Sequence, residues 1–480
     1  MDSRLLAIFS EVPPKPDYNP VRKSIESSKD RPEVAAALKL FSSMPPSTAV
    51  LANPVRHHER VAAGDTTLEL EIRSFTVRGS LFEEDIVAGK ADAARVIFVG
   101  LFGRFPAGEE EELFRKHLSQ SMSLGIQRSF EKTRDFMKLF PNASPDIAVQ
   151  YWASLRKAER KVGPVNASRP PGEMLAEMIG IHMENVAVSA LASALRTDPR
   201  MAMPPVASDP FRLLFSLLLR RTASPDETRI LGQLGAIQVH HGSAGSNMVA
   251  RYLATLHTRS ISDLFTASQM ALDCGRHFGA ISDMTDFVRD LERTPESERD
   301  NVIRGRILKG NLPTFGHPEI AAAGRENHLE MDPRPALYLA PLFEAIDKGT
   351  VVVSPRTLKR AQLLERIYQI ALVEGVEKAA GSGRLRLTPN TDFGAWLVQE
   401  ALGIEEPDRT LLSYAYRGFG WMMDVREQLQ QPIIRPVIPP DPALLERNPV
   451  HSIVPAVISA VHNRLVAGNA FAAMHPTHRR

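Results

Sequence analysis

The sequence predicts a mainly α-helical protein, and three observations carry that expectation. From Leu81 onward, apolar residues recur at helical spacing through segment after segment. Prolines and glycines punctuate the pattern, with breakers at Pro141, Pro164, Pro170, Pro171 and Pro204. Only one stretch, Thr67 to Arg78 (TLELEIRSFTVR), alternates apolar and polar residues well enough to read as a short hairpin. No internal repeat and no low-complexity tract interrupts the chain.

Taken in order, residues 1–65 are rich in Pro, Ser and charge (PPKPDYNP, SSMPPS). They read as an extended arm with little core of its own, carrying one helix-like piece from Pro32 to Ser42. Ala93 to Phe102 (AARVIFVGLF) is a compact apolar segment ended by Gly103. Pro106, Ala107 and Gly108 then open a helix whose first turn carries Glu109 to Glu112, acids that favour the positive end of a helix. Helical periodicity continues over Ile147–Lys161, Glu173–Leu195 and Pro210–Arg220. Pro225–Gln238 reads as a helix capped by Ser224. Small residues from Gly242 to Ser246 interrupt the chain, and a helix resumes near Met248. Further helices are expected over Ile261–Asp273, Asp283–Leu308 (broken at Pro295), Pro335–Asp347, Arg356–Gly375, Phe393–Leu402 and Thr410–Leu429. Leu387 to Asp392 reads as an extended entry, Glu405 to Arg409 as a loop, Gln431 to Pro440 as an extended Pro-rich arm, and Ser452–Ala467 as an amphipathic segment.

The 480 residues suffice for two or three domains and a large core. Hydrophobic residues make up 43% and charged residues 24%, the balance of a globular enzyme. A formal net charge of +2 with scattered basic residues argues against a dedicated nucleic-acid binder. The single cysteine, Cys274, rules out an intrachain disulfide and a cysteine metal cluster, and reads as a packed thiol. No uninterrupted apolar run approaches the roughly 18 residues of a membrane helix; the longest, Leu213 to Leu219, is broken by Ser216 and closed by Arg220 and Arg221. The N-terminus meets acid and proline too early for a signal peptide. The expectation is a cytoplasmic protein without a metal and without a membrane partner.

Candidate chemistry collects at helix ends. His241, His277 and His317 sit at interrupted helix ends, and Asp392 sits where an extended segment meets a helix. Arg334, Arg417 and Arg435 occupy candidate cleft positions. Guanidinium forks bind carboxylates bidentately, so three arginines suit a small dicarboxylate. A carboxylate with two histidines suits proton abstraction next to a carbonyl and stabilisation of the enolate. HGSAGS lacks the lysine and the spacing of a phosphate loop.

Those residues lie in segments that resemble the citrate synthase family, over most of residues 67–440. DAARVIFVGLFGRFPAGEEEELF resembles the helix pair around the family's LLYGELPT element. HHGSAGSNMVAR resembles its H-E-x-N-A-S segment and places His241, with His240 beside it as the other possibility. CGRHFGA resembles G-P-L-H-G-G-A and places His277. FGH places His317, DPR places Arg334, PNTDF places Asp392, YRGFGW places Arg417, and IIRP places Arg435. The resemblance implies a citrate synthase-like fold, with a large helical domain (66–276 and 393–480) and a smaller one (277–392) closing on a cleft. It also implies a homodimer in which Arg435 reaches into the partner's site. Asp392 would take a proton from an acyl-CoA thioester, His277 would hold the enolate oxygen, and His317 would polarise and protonate the ketone. His241, Arg334, Arg417 and Arg435 would hold the 2-keto acid. No permanently bound cofactor is implied; acyl-CoA is a co-substrate. Acetyl-CoA and oxaloacetate lead, with 2-methylcitrate synthesis or a specialised synthase using, for example, a phosphonate keto acid as the alternative. A catalytically weak ligand-binding homologue and a citryl-CoA lyase are the rival classes.

The chain departs from the family at four points. Phe278 stands where glycine is usual and Ile281 where asparagine is usual. Pro318 and Glu319 follow His317 where many members carry a basic residue. The spacer from His317 to Asp332 is longer than usual. Arg325, inside that spacer, is the candidate replacement contact for CoA.

Overall fold

The computed structural model describes residues 2–11, 55–62, 65–72, 75–77, 93–102, 104–159, 162–166, 168–205, 209–240, 245–272, 279–316, 334–374, 376–378, 384–387 and 389–429. The chain divides into two compact units, Met1–Arg22 with Val50–Ile433, and Lys23–Ala49 with Ile434–Arg480. Every described residue belongs to the first. The segments expected at Pro32–Ser42, Gln431–Pro440 and Ser452–Ala467 lie outside the described residues.

The expectation of a helical protein holds. The described helices are α1 (Ser3–Ser10), α2 (Ala93–Phe102), α3 (Glu110–Leu139), α4 (Pro145–Glu159), α5 (Pro171–Thr197), α6 (Pro210–Leu219), α7 (Pro225–Gln238), α8 (Gly245–Thr255), α9 (Ile261–Leu272), α10 (Gly279–Arg293), α11 (Glu296–Leu308), α12 (Arg334–Asp347), α13 (Pro355–Glu374), α14 (Thr391–Ala401) and α15 (Arg409–Gln428). A single 3₁₀ turn, Glu406–Asp408, replaces the loop expected before α15. The strand signal marks β2 (Asp65–Ile72) and β3 (Phe75–Val77), which pair antiparallel. β2 also pairs with β1 (Val55–Ala62), which the sequence reading assigned to the arm because VRHHERVA shows no clean apolar alternation. A second, two-stranded sheet joins β4 (Val376–Lys378) and β5 (Arg384–Arg386).

Local sequence sets the helix starts. Ser224 accepts from the Glu227 amide while the Glu227 carboxylate accepts from the Ser224 amide, a reciprocal capping box at α7. Asp209 caps α6 through the amides of Phe211 and Arg212 at 2.9 and 3.0 Å, with Pro210 at the first helical position. α5 is apolar over 18 residues to a degree that composition alone cannot tell from a membrane span, but nearly all of that length is buried inside the protein. It is a core helix, hydrophobic on every side because neighbours cover every side.

α5 packs against α3, α4, α6 and α15, and α15 also packs against α2, α7, α8 and α9. Both helices are enclosed almost throughout. Close approach needs gaps in side-chain cover, and α15 supplies them. A Cβ on Gly418 would lie 2.0 Å from the His182 ring, and one on Gly420 would lie 2.2 Å from the Val239 carbonyl. In the facing helix α7, a Cβ on Gly235 would lie 2.0 Å from the Tyr416 ring. His182 stacks on Phe265, and its Nε2 donates to the Ala415 carbonyl at 2.8 Å; burial pushes its pKa down to about 4, so it packs as a neutral ring.

Residues 3–10 depart from the expected arm. They form α1, whose Leu5, Ile8 and Phe9 are buried and whose Phe9 ring joins Phe102 and Phe114. Arg426 of α15 donates to the carbonyls of Phe9 and Glu11 at the C-terminal end of α1, where helical carbonyls lack partners. Arg104 clamps Glu11 through two bonds of 2.9 and 2.7 Å. An eight-residue helix is too weak to be legible alone; these tertiary partners make it stable.

Gly418→Ala should destabilise the protein by about 1–3 kcal/mol, because the added methyl meets a ring that the Ala415 carbonyl holds in place. Chemical denaturation at neutral pH measures it, and an unchanged midpoint would show that His182 has room to move.

Candidate functional site

Asp392 lies in the first turn of α14, and its surroundings explain how two distant segments meet there. Asn390 is the N-cap of α14: its Oδ1 accepts from the Asp392 amide at 2.9 Å. The same side chain reaches the other way, Nδ2 donating to the Gly316 carbonyl at 3.0 Å. The Asn390 amide donates to the Thr314 carbonyl at 2.9 Å, and Phe315 forms a β-bridge with Pro389. Phe315 and Phe393 close the contact edge to face, ring centroids 5.5 Å apart. Thr314 and Gly316 both take positive φ, 62° and 75°. A threonine in that conformation is uncommon, and the Asn390 bonds to its own carbonyl and to that of Gly316 hold the turn there.

The TFG segment immediately before His317 is therefore fastened to the PNTD segment that carries Asp392, although 74 residues separate Gly316 from Asn390. Asp392 itself is half-buried. Its place in the first turn puts a carboxylate at the positive end of the α14 dipole.

The other expected residues divide by position. Arg417 is 2% exposed, midway along α15. Arg334 begins α12, where only its backbone is described. His241, His277, His317, Arg325 and Arg435 lie outside the described residues. So do the departures Phe278, Pro318 and Glu319, and Cys274. Ile281, the remaining departure, is a core residue, 1% exposed in the first turns of α10. Its side chain thus contributes to the apolar packing of α10, the helix that follows His277 in sequence.

His240, the alternative to His241, is occupied elsewhere. It is buried at the end of α7, and its Nε2 donates to Asp424 Oδ1 at 3.0 Å. Asp424 also pairs with Arg251 at 2.6 Å and accepts from Asn247, and Arg251 reaches Glu427 at 2.8 Å. Burial lowers the His240 pKa; the Asp424 carboxylate opposes that shift, and the charges of Arg251 and Arg417 add to it. Burial by itself would raise the Asp424 carboxyl, but Arg251 and His240 outweigh it and hold it below the usual carboxylate range. A neutral imidazole donating to an ionised carboxylate satisfies both groups. The sequence reading did not find Asn390, Asp424, Asn247 or Arg251; only the Asn immediately before a Thr-Asp helix start carried a local signal.

A cavity of about 370 Å³ lies at the other end of α14, lined among others by Arg356, Arg360, Glu400, Glu405, Glu406 and Arg409. It is not the Asp392 site: Glu400 stands eight residues further along the helix, about 12 Å away at the rise of an α-helix. Glu400 there bridges Arg360, at 3.0 Å, and Arg409. Among the described residues no group of three His, Cys, Asp or Glu side chains could hold a metal ion.

Comparison with known proteins bears on this geometry. The family profile described as "Citrate synthase, C-terminal domain" matches residues 22–437. No curated protein matches. Among solved structures, the chain is similar to the citrate synthase of Thermoplasma acidophilum in its ternary complex with carboxymethyl coenzyme A and oxaloacetate, with 17% identity, 78% of this chain and 91% of that chain covered, and a TM-score of 0.58. It is similar to the citrate synthase of Thermotoga maritima at 16% identity, covering 80% and 92% of the two chains, TM-score 0.57. It is also similar to that of Pyrobaculum aerophilum at 18% identity, covering 78% and 88%, TM-score 0.57. These likenesses establish the fold.

Asn390→Ala removes the α14 cap and the tie to Gly316 together, and should cost about 1–2 kcal/mol. Hydrogen exchange should show the loss of protection concentrated in 314–316 and 390–394; a loss spread evenly over the protein would show that the clamp has no local role.

Proposed function

The chain belongs to the citrate synthase family, and on that footing we propose that it condenses an acyl-CoA with a 2-keto dicarboxylate, releasing free CoA. Acetyl-CoA and oxaloacetate are the leading pair. The observation that carries this reading is the Asn390 clamp, which fastens the segment leading to His317 against the helix start that bears Asp392. A carbon acid and a ketone react only if base and electrophile-activating acid share one site, and holding reactants in a near-attack geometry can remove about 7–11 kcal/mol of a bimolecular barrier.

In this reading Asp392 takes a proton from the α-carbon of the thioester while His277 donates a hydrogen bond to the thioester oxygen as the enolate forms. The α-carbon attacks the ketone carbon, and His317 delivers a proton to the resulting alkoxide. Arg334, Arg417, Arg435 and His241 hold the keto acid, and Arg325 contacts CoA. Water then cleaves the thioester and CoA leaves as the thiol. Arg417 suits its part because it is enclosed, where a charge-assisted bidentate bond to carboxylate is stronger than at the surface. Residues 277–392 would form the smaller domain that closes on the larger one, two copies would share each site through Arg435, and the enzyme would work in the cytoplasm without a bound cofactor. Within the class, the apolar Ile281 favours testing propionyl-CoA beside acetyl-CoA.

Purified protein mixed with oxaloacetate and a panel of acyl-CoAs should release free thiol with at least one of them; no release from any pair would sink the synthase reading. Asp392→Asn should lower kcat about 100- to 10,000-fold, the usual worth of a positioned general base. Arg417→Lys keeps the charge but loses the planar fork, and should raise the KM for the keto acid about tenfold or more with little change in that for the acyl-CoA.

A further inference from the structure

The face of α15 that carries Arg417 also carries Gly420, Asp424 and Glu427. The offsets of three, seven and ten residues place them on one stripe, two to three helical turns long. That stripe meets the end of α7 and the start of α8. Gly420 is the notch: a Cβ there would overlap the Val239 carbonyl at 2.2 Å and crowd His240 Cδ2 at 3.2 Å. One residue on, His240 donates to Asp424 at 3.0 Å, and Asn247 and Arg251 of α8 converge on the same carboxylate. The two contacts define a register. The Val239–His240 backbone sits between the levels of Arg417 and Asp424, and sliding α15 by one turn, about 5.4 Å, would put a side chain in the notch and break the His240 bond.

We propose that His240 is a positioning residue for the keto-acid site: by bonding Asp424 across the Gly420 notch it fixes α15 against the end of α7, and so fixes where Arg417 meets the carboxylate of a 2-keto dicarboxylate. The proposal rests on the keto-acid role given to Arg417 above. It assigns His240 no contact with substrate. The ring is buried, and its bonding nitrogen is spent on Asp424. The neutral ring is what the task requires. An imidazolium would add a third cation beside Arg251 and Arg417, in an interior where like charges repel strongly.

The test compares His240→Leu with His240→Gln, reading binding of oxaloacetate and of acetyl-CoA separately by calorimetry. Gln places an amide donor close to where the imidazole Nε2 stands, whereas Leu fills the space without a donor. His240→Leu should weaken oxaloacetate binding about 10- to 100-fold, the scale on which small misplacements act, and leave acetyl-CoA binding within about twofold. His240→Gln should recover most of the loss. Equal weakening of both ligands, or a lowered melting temperature with oxaloacetate binding intact, would overturn the proposal. If His240→Leu does not fold, Gly420→Ala decides: it pushes the two helices apart at the same level and should weaken oxaloacetate selectively, and equal loss of both ligands would overturn the assignment. Wild-type protein that binds oxaloacetate but releases no thiol with any acyl-CoA would sink the synthase reading alone, with the ratio of oxaloacetate affinities still deciding the role of His240.

Discussion

The near-complete burial of α15 is the constraint on which the rest of the structure depends. A helix of 20 residues that includes Arg417, Asp424, Arg426 and Glu427 has been taken out of water. Each such charge carries a desolvation penalty of several kcal/mol unless a partner meets it. The surrounding elements are arranged as those partners. Arg251 of α8 stands between Asp424 and Glu427, His240 closes the other side of Asp424, and the end of α1 receives Arg426. Glycines at 418 and 420 let the neighbours come close enough for those bonds to form. Replacing one member of such a set leaves its partner charged and buried, which costs more than the bond itself contributes.

Much of the fold is legible in the sequence because its signals are local. Pro and Gly mark the helix ends, Ser224 and Asp209 announce their caps, and the apolar period marks the helix interiors. What escapes is what depends on partners far along the chain. α1 is eight residues of ordinary helix propensity, fixed by Arg104 and Arg426 from remote elements. β1 lacks alternation and is a strand because β2 offers it a ladder. Of the candidate residues, Asp392 at a helix start and Arg417 within a helix stand where the sequence pattern put them. The His240–Asp424 pair was not, because a separation of 184 residues leaves no pattern a single sequence can show. His240 and His241 look alike as letters; the burial of His240 against Asp424 is visible only in the fold.

A second charged network ties α10, α13 and α14 to the base of α15. Arg360 of α13 bonds Glu292 of α10 at 2.8 Å and Glu400 of α14 at 3.0 Å, and Arg409 at the start of α15 takes the other side of Glu400. Arg409 also bonds Thr285 at 3.1 Å, whose hydroxyl accepts in turn from the Trp396 indole at 2.8 Å. Asp408 adds Arg196 of α5, so the short turn before α15 is held from several directions. Networks of this kind hold geometry better than isolated pairs, because each side chain is oriented by more than one bond.

α14 joins the two halves of that logic. Its C-terminal end is fixed by Glu400 between two arginines that are themselves nearly enclosed, and its N-terminal end carries Asn390 and Asp392. A helix is stiff over 11 residues, so the position of Glu400 constrains the position of Asp392 even though no side chain links them. The Asn390 clamp then passes that constraint across to Thr314–Gly316, the approach to His317. Arg417 receives its own position from the far side, through Asp424 and the end of α7. Asp392 and Arg417 are thus referred to one element, the α14–turn–α15 segment, which meets itself at Glu400 and Arg409. Such a segment can hold Asp392 and Arg417 at a constant separation while the elements around it adjust, and a fixed separation is what the proposed condensation of two substrates would demand.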